Sequence, residues 1–475
     1  MSSRAAAIFD LDRTLISASS ATVFRKHLAE AGLGSSRDIP LADVFARFYE
    51  QFGENWLMMQ PARLFSRTAT GWNVATVQTA MDAAAEELAS LVLPYAAKEV
   101  EARRAEGCQL VMATTSPLPF VKPFADRLGF DATVATGWER DGDSYTGQMD
   151  GGFLWGRAKA DAVAQWAEEN GVDLGCSYAY SDSYFDSPLL AMVGYPVAVN
   201  ADIQLRATAA LRGWPVRHFD CAEGVTKLGG LELQELGRPF LRPELLALAA
   251  QIEFEGIEHI PKTGPAIVVF NHRSYFDPAV MVMVLAKAGR NIRSLGKKEV
   301  FDAPVVGQFM RAVGGIRVDR GTGSDEPLDA AIEAVEAGEL LMLAPEGTIP
   351  RGPAFFDPVL KGRWGAARIA AATKAPVIPV GLWGTEQVWP RSARFPRVSI
   401  TNRPLVNATV GPPVQMNYRS PNADTKRVMA ALSELLPPEA RERRSPRPEE
   451  LALTYPPGYS GDPEAETDRR PGTDS

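Results

Sequence analysis

Cysteine and histidine are scarce in this sequence, with three and four residues respectively among 475. The cysteines, Cys108, Cys176 and Cys221, lie far apart and show none of the Cys/His spacings that are typical of zinc sites. A disulfide framework needs a much higher density of cysteine. We therefore expect neither a structural zinc nor disulfides, and the reducing cytoplasm is the expected location.

Long apolar runs and an excess of positive charge are also missing. No uncharged stretch approaches the roughly 20 residues that span a bilayer, and the first residues lack the apolar segment of a signal peptide. Any membrane contact is therefore expected to be peripheral. The formal net charge of -8 argues against nucleic acid as a partner. Nothing in the sequence predicts the oligomeric state.

The remaining composition is that of an ordinary globular protein, with 45% hydrophobic and 23% charged residues. A chain of 475 residues is long enough for two hydrophobic cores. Short apolar segments alternate with helical patterns in both halves, which predicts two α/β domains with mostly parallel sheets. The predicted strands are Ala5–Phe9, Gln109–Thr114, Ser177–Tyr180 and Pro196–Val199 in the first half, and Ala266–Phe270, Leu340–Leu343 and Val377–Val380 in the second.

Changes in composition along the chain predict the domain boundaries. Residues 1–220 form the first predicted domain, with a helical cap at about residues 20–93, and residues 221–243 form a linker of mixed charge. Residues 244–437 form the second domain. Residues 438–475 are rich in Pro, Glu, Arg, Asp, Gly and Ser, and we predict a disordered tail.

Two pairs of aspartates follow predicted strands in the first half. Asp10 and Asp12 come directly after the first strand in FDLDRTL, and Asp182 and Asp186 follow another strand. A DxD after a strand can be a simple turn or helix cap. Two acidic pairs at the ligand-binding edge of one sheet, however, offer the oxygen ligands that Mg²⁺ prefers. One such carboxylate can attack phosphorus while another handles a proton.

Two further residues between these pairs suit a phosphoryl group. Thr114 ends a predicted strand and Lys159 opens a predicted helix, and together they supply a hydroxyl and an ammonium group. With these four parts in this order, residues 4–219 resemble haloacid-dehalogenase-type phosphatases of the phosphoserine-phosphatase branch. The resemblance implies a Rossmann-like domain with a helical cap.

The resemblance also assigns roles to the residues. It implies that Asp10 is the nucleophile that forms an aspartyl-phosphate and that Asp12 is the general acid and base. Thr114 and Lys159 would bind phosphate, and Asp10, Asp182, Asp186 and the backbone carbonyl of Asp12 would surround Mg²⁺. Two residues depart from the family pattern: Arg13 replaces a glycine or other small residue, and Ser19 replaces an acidic residue that binds the substrate ammonium of phosphoserine.

One histidine of the second half lies where a catalytic base would. His272 follows the predicted strand Ala266–Phe270 in NHRSYFD, with Asp277 five residues later. A carboxylate held against an imidazole makes the ring more basic, so that it can accept a proton from a hydroxyl that attacks a thioester. The alternative is that His272 caps a helix in which Asp277 is an ordinary acidic residue of the first turn.

Downstream residues favour the catalytic interpretation. Arg320 in GGIRVDRG is a candidate phosphate ligand, and Glu346 and Gly347 form a turn after the strand Leu340–Leu343. Taken singly, each of these is also compatible with a solvated arginine or a plain turn. As an ordered set with His272 and Asp277, they resemble the glycerolipid acyltransferase family, which includes the 1-acylglycerol-3-phosphate acyltransferases, over residues 252–413.

This second resemblance implies a reaction and its partners. His272 would be the general base, Asp277 would orient it, and Arg320, Glu346 and Gly347 would bind the acceptor. The donor would be an acyl thioester of coenzyme A or acyl carrier protein, and the acceptor lysophosphatidate or glycerol 3-phosphate, met at the inner face of a membrane. One departure is Ile349-Pro350, where many relatives have Arg and Ser.

The apolar helical stretch 279–288 would line an acyl groove, rest on lipid or belong to the core.

Three hypotheses about function remain open at this point. The first is a bifunctional enzyme, an acyltransferase fused to an active Mg²⁺-dependent phosphatase. The second keeps the acyltransferase and treats the phosphatase-like domain as a silent docking or regulatory module, because Arg13 alters its entrance. The third, a phosphomonoester hydrolase with a lipid-binding second domain, is disfavoured by the intact His272/Asp277 pair.

Overall fold

A computed structural model of the chain describes residues 4–33, 63–241, 250–318, 326–397 and 403–459. The chain divides into two units, Met1–Glu223 and Gly224–Ser475. Each unit contains a seven-stranded sheet with helices, so the predicted α/β class is confirmed for both halves. Among the described residues, none of the helices is both long and apolar enough to cross a membrane.

The sheet of the first unit has the strand order β4-β3-β2-β1-β5-β6-β7, in which only β3 and β4 pair antiparallel. Its strands are β1 Ala6–Phe9, β2 Gln109–Pro117, β3 Ala132–Asp141, β4 Ser144–Asp150, β5 Tyr178–Ser181, β6 Tyr195–Val199 and β7 Val216–Arg217. Its α-helices are α1 Ser20–Glu30, α2 Val74–Ala89, α3 Pro94–Ala105, α4 Leu118–Arg127, α5 Arg157–Glu169, α6 Ser187–Leu190 and α7 Ile203–Arg212. Much of the predicted cap, residues 34–62, lies outside the described residues.

Strand β1 lies in the middle of this sheet because both of its faces are apolar. Ala7 and Phe9 belong to the core cluster on one side of the sheet, and Ala6 and Ile8 to the cluster on the other. The chain continues from β1 to β2 on one side and later reaches β5 on the other side. The loops that leave β1 and β5 therefore diverge, which opens a crevice at the carboxyl ends of these two strands.

The sheet of the second unit has the order β10-β16-β15-β11-β14-β12-β13, in which only β15 and β16 pair antiparallel. Its strands are β10 Gln251–Glu255, β11 Ala266–Phe270, β12 Arg293–Lys297, β13 Ile316–Val318, β14 Leu340–Leu343, β15 Val377–Trp383 and β16 Leu405–Val410, and a separate pair is formed by β8 Lys227–Leu228 and β9 Leu231–Glu232. Its α-helices are α8 Leu233–Gly237, α9 Asp277–Lys287, α10 Lys298–Asp302, α11 Val306–Ala312, α12 Glu326–Glu336, α13 Gly365–Thr373, α14 Thr385–Val388, α15 Pro421–Glu434, α16 Pro438–Arg441 and α17 Pro448–Ala452.

Helix α9 contains most of the apolar stretch for which lipid contact was one interpretation. Val280, Met281, Val284 and Leu285 are buried in the core cluster of the second unit, beside residues of β11. The core interpretation of this stretch is therefore confirmed. Lipid contact, if this unit makes it, has to involve other residues.

The predicted linker is folded wherever the structure describes it. Residues 224–241 carry β8, β9 and α8, and the carboxylate of Glu232 is buried in the second unit. Both guanidinium Nη atoms of Arg293 donate to the Glu232 carboxylate, at 2.8 and 2.7 Å, and Arg293 also pairs with Glu339. The prediction of a linker over 221–243 is wrong for residues 224–241, because composition alone does not show that Glu232 has a buried partner in Arg293.

We expect Arg293→Ala to destabilise the protein strongly. Arg293 is buried, and its loss leaves two carboxylates inside the second unit without their cation, which costs about 3–5 kcal/mol in such cases. By calorimetry of the full chain, a transition should fall by roughly 6–12 °C. Lys122→Ala, which removes an exposed ion pair with Asp126, is the control and should change little. Equally small shifts of the unfolding temperature in both variants would contradict a stabilising role for the buried ion pairs of Arg293.

The predicted disordered tail is also wrong for residues 438–459. This segment contains α16 and α17 and packs on the loop that follows β14. The Thr454 hydroxyl accepts a hydrogen bond from Gly352 N at 2.8 Å, and Leu453 O accepts one from Ser392 N at 3.2 Å. A few such contacts hold this segment in place, although its average composition is typical of a disordered tail. Residues 460–475 lie outside the described part of the chain.

Candidate active sites

Asp10 lies at the crevice between β1 and β5. It follows the last residue of β1, and its backbone N–H donates to Tyr180 O in β5 at 3.0 Å. Asp12 lies two residues further on, where its carboxylate accepts a hydrogen bond of 2.6 Å from Ser20 N at the start of α1. Backbone contacts thus hold both aspartates at the carboxyl edge of the sheet. This is the location predicted from their position directly after a strand.

Lys159 joins two of the predicted acidic residues. Its ammonium group donates to Asp10 Oδ1 at 2.6 Å and to Asp186 Oδ2 at 2.7 Å, and the side chain is only 1% exposed. Asp186 Oδ2 also accepts a hydrogen bond from the Ser181 hydroxyl at 2.7 Å. Ser181, the last residue of β5, was not identified from the sequence. A buried lysine between two carboxylates supplies positive charge where a phosphoryl group would be transferred.

Burial and crowding change the acidity of these carboxyl groups. Burial raises the pKa of Asp10 to about 7, and the neighbouring carboxylates of Asp186 and Asp12 add to that rise while Lys159 opposes it. Burial also raises the pKa of Asp12 above its ordinary value, against the hydrogen bond from Ser20. A concentration of buried carboxylates of this kind favours an additional cation, and it is typical of functional sites.

The structure pairs the carboxylates of the predicted Mg²⁺ site with two cations, in three ion pairs. Lys159 pairs with Asp10 and Asp186, whereas Asp182 pairs with Arg13, at 3.3 Å from Nε. Within the described ranges, three or more His, Cys, Asp or Glu side chains nowhere cluster closely enough to hold a metal. The donor chemistry nevertheless fits Mg²⁺, because these ligands are carboxylates and the buried Asp186 Oδ1 has no hydrogen-bond partner.

Arg13 adopts a backbone conformation that favours glycine. Its φ angle is +59°, in the left-handed region, which accounts for the small residue that the resembling phosphatases commonly have here. The Asn200 side chain holds this turn by donating to Arg13 O at 2.9 Å. The same turn brings the guanidinium group to Asp182, so the departure noted in the sequence places a cation inside the crevice.

Thr114 lies within β2, the other neighbour of β1. Since Phe9 pairs with Met112 in the register of the two strands, Thr114 lies at the same edge of the sheet as Asp10 and Asp12. It is buried, and its hydroxyl accepts a hydrogen bond from Ser116 N at 3.3 Å.

His272 and Asp277 meet directly in the second unit. His272 Nδ1 lies 2.7 Å from Asp277 Oδ2, and the aspartate is completely buried at the first residue of α9. The same Oδ2 atom accepts hydrogen bonds from Arg273 N at 2.6 Å and Ser274 N at 2.8 Å. Asp277 thus closes the loop and also binds the imidazole. The N-cap residue of α9 is Phe276, without a side-chain cap hydrogen bond, so His272 does not cap this helix.

Glu346 lies beside this pair because β14 is the neighbour of β11 in the sheet. Its carboxylate accepts a hydrogen bond from His272 N. Burial raises the pKa of Glu346 to about 8, against the hydrogen bond from His272 and the charge of Arg273. Gly347 follows in the left-handed conformation, with a φ of +69°, which explains glycine at this turn. Arg320 lies outside the described residues.

Two residues of NHRSYFD that sequence reasoning missed hold the loop in place. The Asn271 side chain exchanges two hydrogen bonds with the backbone of Leu382 in β15, at 2.9 and 2.7 Å. The Arg273 guanidinium lies between the rings of Phe355 and Trp383, at 4.3 and 4.2 Å from their centroids. The only available signal was their position on either side of His272.

Arg273 also lines a cavity of about 450 Å³ in the second unit. The Arg273 guanidinium pairs with Glu386 there at 2.9 Å, and the wall includes Phe355, Trp383 and residues of the segment 438–459, among them Glu450 of α17. The cavity therefore carries charges of both signs next to aromatic rings. The segment 438–459 contributes to it, so the folded C-terminal segment is part of the environment of the NHRSYFD loop.

Both sites match known families. A family model for haloacid dehalogenase-like hydrolases matches residues 7–191, and an acyltransferase family model matches residues 251–383. These ranges contain Asp10 to Asp186 and His272 to Glu346. The chain therefore belongs to the haloacid dehalogenase-like hydrolases, with an acyltransferase domain in its C-terminal unit.

Three individual proteins are each similar to about one half of this chain. The "Inhibition of morphological differentiation protein" of Streptomyces azureus is 37% identical over 223 residues, which are 46% of this chain and 79% of that protein. The phosphoserine phosphatase SerB1 of Mycobacterium tuberculosis is 32% identical over 47% of this chain and 74% of its own. Among solved structures, the 1-acyl-sn-glycerophosphate acyltransferase of Thermotoga maritima is 24% identical over 42% of this chain and 77% of its own, with a TM-score of 0.33.

Proposed function

We propose that the second unit transfers a fatty acyl group from a thioester to a hydroxyl of lysophosphatidate or glycerol 3-phosphate. The observation that carries this proposal is the His272–Asp277 pair at the carboxyl end of β11, beside Glu346. Its position within the acyltransferase match and the resemblance of NHRSYFD to glycerolipid acyltransferases support the acceptor class. The donor in this proposal is acyl-coenzyme A or acyl carrier protein.

The proton chemistry follows from the hydrogen bond between these two residues. Because the Asp277 carboxylate can only accept, His272 Nδ1 carries the shared proton and Nε2 is left with a lone pair. Nε2 removes the proton from the acceptor hydroxyl as its oxygen attacks the thioester carbon. The carbon–sulfur bond breaks, the thiolate takes that proton from His272, and an ester remains. No nucleophile of the protein is needed.

For the first unit we propose hydrolysis of phosphomonoesters with Asp10 as nucleophile. The burial of Asp10 beside Lys159, the family match and the 32% identity to a phosphoserine phosphatase support this role. Lys159 and Thr114 would hold the phosphate, and Asp12 would protonate the leaving alcohol. Asp10, Asp182, Asp186 and the backbone carbonyl of Asp12 would hold Mg²⁺, which would neutralise charge on the phosphoryl oxygens.

One assay with two channels tests both proposals. Purified protein would be incubated with palmitoyl-coenzyme A, lysophosphatidate or glycerol 3-phosphate, and Mg²⁺, while free thiol and inorganic phosphate are followed separately. Thiol release that requires an acceptor supports the acyltransferase, and phosphate release from phosphomonoesters supports the hydrolase. Thiol release that is absent with every acceptor would contradict the main proposal.

The ion pair between Arg13 and Asp182 favours a second candidate, a silent docking or regulatory domain. In this alternative the guanidinium holds a carboxylate that Mg²⁺ would need. The hydrolase-only hypothesis has no comparable support, because His272 Nδ1 and Asp277 Oδ2 lie 2.7 Å apart, as a general base and its orienting carboxylate would.

Arg13→Gly distinguishes the active domain from the silent one. The variant removes the competing cation and suits the left-handed backbone, so we expect unchanged or higher stability. If the domain is active, the Mg²⁺ concentration for half-maximal phosphate release should fall by about threefold or more. Arg157→Gly would remove another cation, one that pairs with the exposed Asp161, and serves as the control. Phosphate release that appears only after Arg13→Gly would favour the silent domain.

A further inference from the structure

We propose that the two helices α10 and α11 dock the second unit on an anionic lipid surface. Residues 298–312 carry three large apolar side chains that face water: Val300, Val305 and Phe309 are 38%, 75% and 59% exposed. We call this segment the apolar hairpin. Single exposed apolar residues are ordinary, and three of this size within ten residues suit contact with an apolar partner. The proposal adds a contact surface to the proposed function. It rests on that function in one respect, because an acyltransferase with a lipid acceptor has to reach a bilayer.

The backbone at Val305 supports a role for its apolar side chain. This residue precedes α11 with a φ of +66°, a conformation that a β-branched residue rarely adopts. A turn selected only for exposure to water would favour glycine or asparagine here. Strain of this kind persists where a side chain serves a function. Val305, the most exposed of the three side chains, therefore occupies a backbone conformation that disfavours a β-branched residue.

The position of the hairpin in the sheet fits an acceptor that comes from a bilayer. Strands β11, β14 and β12 are parallel neighbours, so their carboxyl ends lie at one edge, and α10 begins directly after β12. His272 and Glu346 follow β11 and β14 at that same edge. Because lysophosphatidate keeps its acyl chain in the bilayer, an apolar surface at this edge would bring the active site to its substrate.

Other exposed aromatic residues lie on segments that leave the same edge. Tyr275 follows β11, Trp364 follows β14 and Phe395 follows β15, and they are 45%, 38% and 73% exposed. Amphipathic aromatic rings are favoured at the boundary between water and lipid. Exposed aromatic side chains are thus also present on loops that leave this edge.

Charge determines which kind of lipid the surface suits. Residues 297–317 contain four basic and two acidic residues, a local charge of +2 in a chain whose net charge is -8. Lys298 and Arg311 are exposed on the two helices of the hairpin. Apolar side chains flanked by cations are typical of segments that bind anionic bilayers.

Vesicle sedimentation tests this surface without any catalytic readout. Full-length protein would be spun with vesicles of phosphatidylcholine alone or mixed with phosphatidylglycerol. We expect binding to the mixed vesicles, and the double substitution Val305→Asp with Phe309→Asp should lower the partition coefficient by about tenfold or more. The matched control, Ile203→Asp with Leu211→Asp, changes two side chains of the first unit that are 86% and 89% exposed. It should bind as the wild type does.

Two further variants separate folding and catalysis from lipid contact. Val305→Gly relieves the strained φ, so it should keep or raise the midpoint of unfolding while binding falls by about threefold. His272→Ala should bind vesicles like the wild type even though acyl transfer is lost, so failure of the acyltransferase proposal does not affect this test. Equal binding by the Val305/Phe309 double variant and its control, or wild-type binding that does not depend on phosphatidylglycerol, would overturn the proposal.

Discussion

His272→Ala should abolish acceptor-dependent thiol release, with a fall in rate of about 10²–10⁴-fold, the contribution typical of a general base. The substitution removes the imidazole that takes the proton from the acceptor hydroxyl, while Asp277 keeps the loop closed through its bonds to Arg273 N and Ser274 N. The rate of thiol release from palmitoyl-coenzyme A with lysophosphatidate is the measurement. Phosphate release by the first unit should not change.

The chain offers a matched control for this substitution. His259 is in the same unit, and its Nδ1 lies 2.9 Å from Val410 O, so its loss removes an imidazole that is hydrogen-bonded to a backbone carbonyl. His259→Ala should keep acyl transfer within about threefold of the wild type. Asp277→Asn should lower the rate while leaving the KM for the donor nearly unchanged, because Asp277 acts through His272. A rate that survives in His272→Ala would refute the proposed base.

Asp10→Asn should eliminate phosphate release from phosphomonoesters, with a loss of at least about 10³-fold, because the amide cannot form an acyl-phosphate. The fold should persist, since asparagine preserves shape and removes a carboxyl group whose burial already raises its pKa to about 7. Release of inorganic phosphate is the measurement, and the midpoint of thermal unfolding verifies folding. Acyl transfer should remain at the wild-type rate.

The control for Asp10→Asn is Asp161→Asn, in the same unit. Asp161 is exposed and pairs with Arg157 on the surface of α5, so this change should leave phosphate release within a factor of about two. Phosphate release that persists in Asp10→Asn would show that hydrolysis does not proceed through an aspartyl-phosphate on this residue. Loss of acyl transfer in the same variant would indicate general misfolding instead.

Local sequence predicted the strands that carry both sites. Strand β11 has the predicted bounds, Ala266–Phe270, because a run of five apolar residues can be buried on both faces of a sheet. Motifs directly after such strands necessarily lie at the carboxyl edge. For this reason Asp10 and His272 could be placed at candidate active sites before any tertiary contact was known.

The folding of the chain's more polar segments could not be predicted in this way. Residues 438–459 have the composition of a disordered tail, yet Thr454 and Leu453 form hydrogen bonds with the loops at Gly352 and Ser392. The segment around Glu232 looked like a linker because the buried partner of that residue, Arg293, lies 61 residues away. Average composition describes a segment's preference for water and carries no information about a distant partner.

The sequence alone was sufficient for the α/β class, the strand ends before Asp10 and His272, and the pairing of His272 with Asp277, because all of these depend on residues within a few positions of each other. It placed the end of β2 at Thr114, three residues too early. Tertiary structure decided which distant charges meet: Lys159 with Asp10 and Asp186, and Arg13 with Asp182. Those contacts depend on strand order, which brings β1 and β5 together across more than 160 residues. Strand order follows from how both faces of a whole sheet are buried, and no local pattern records it.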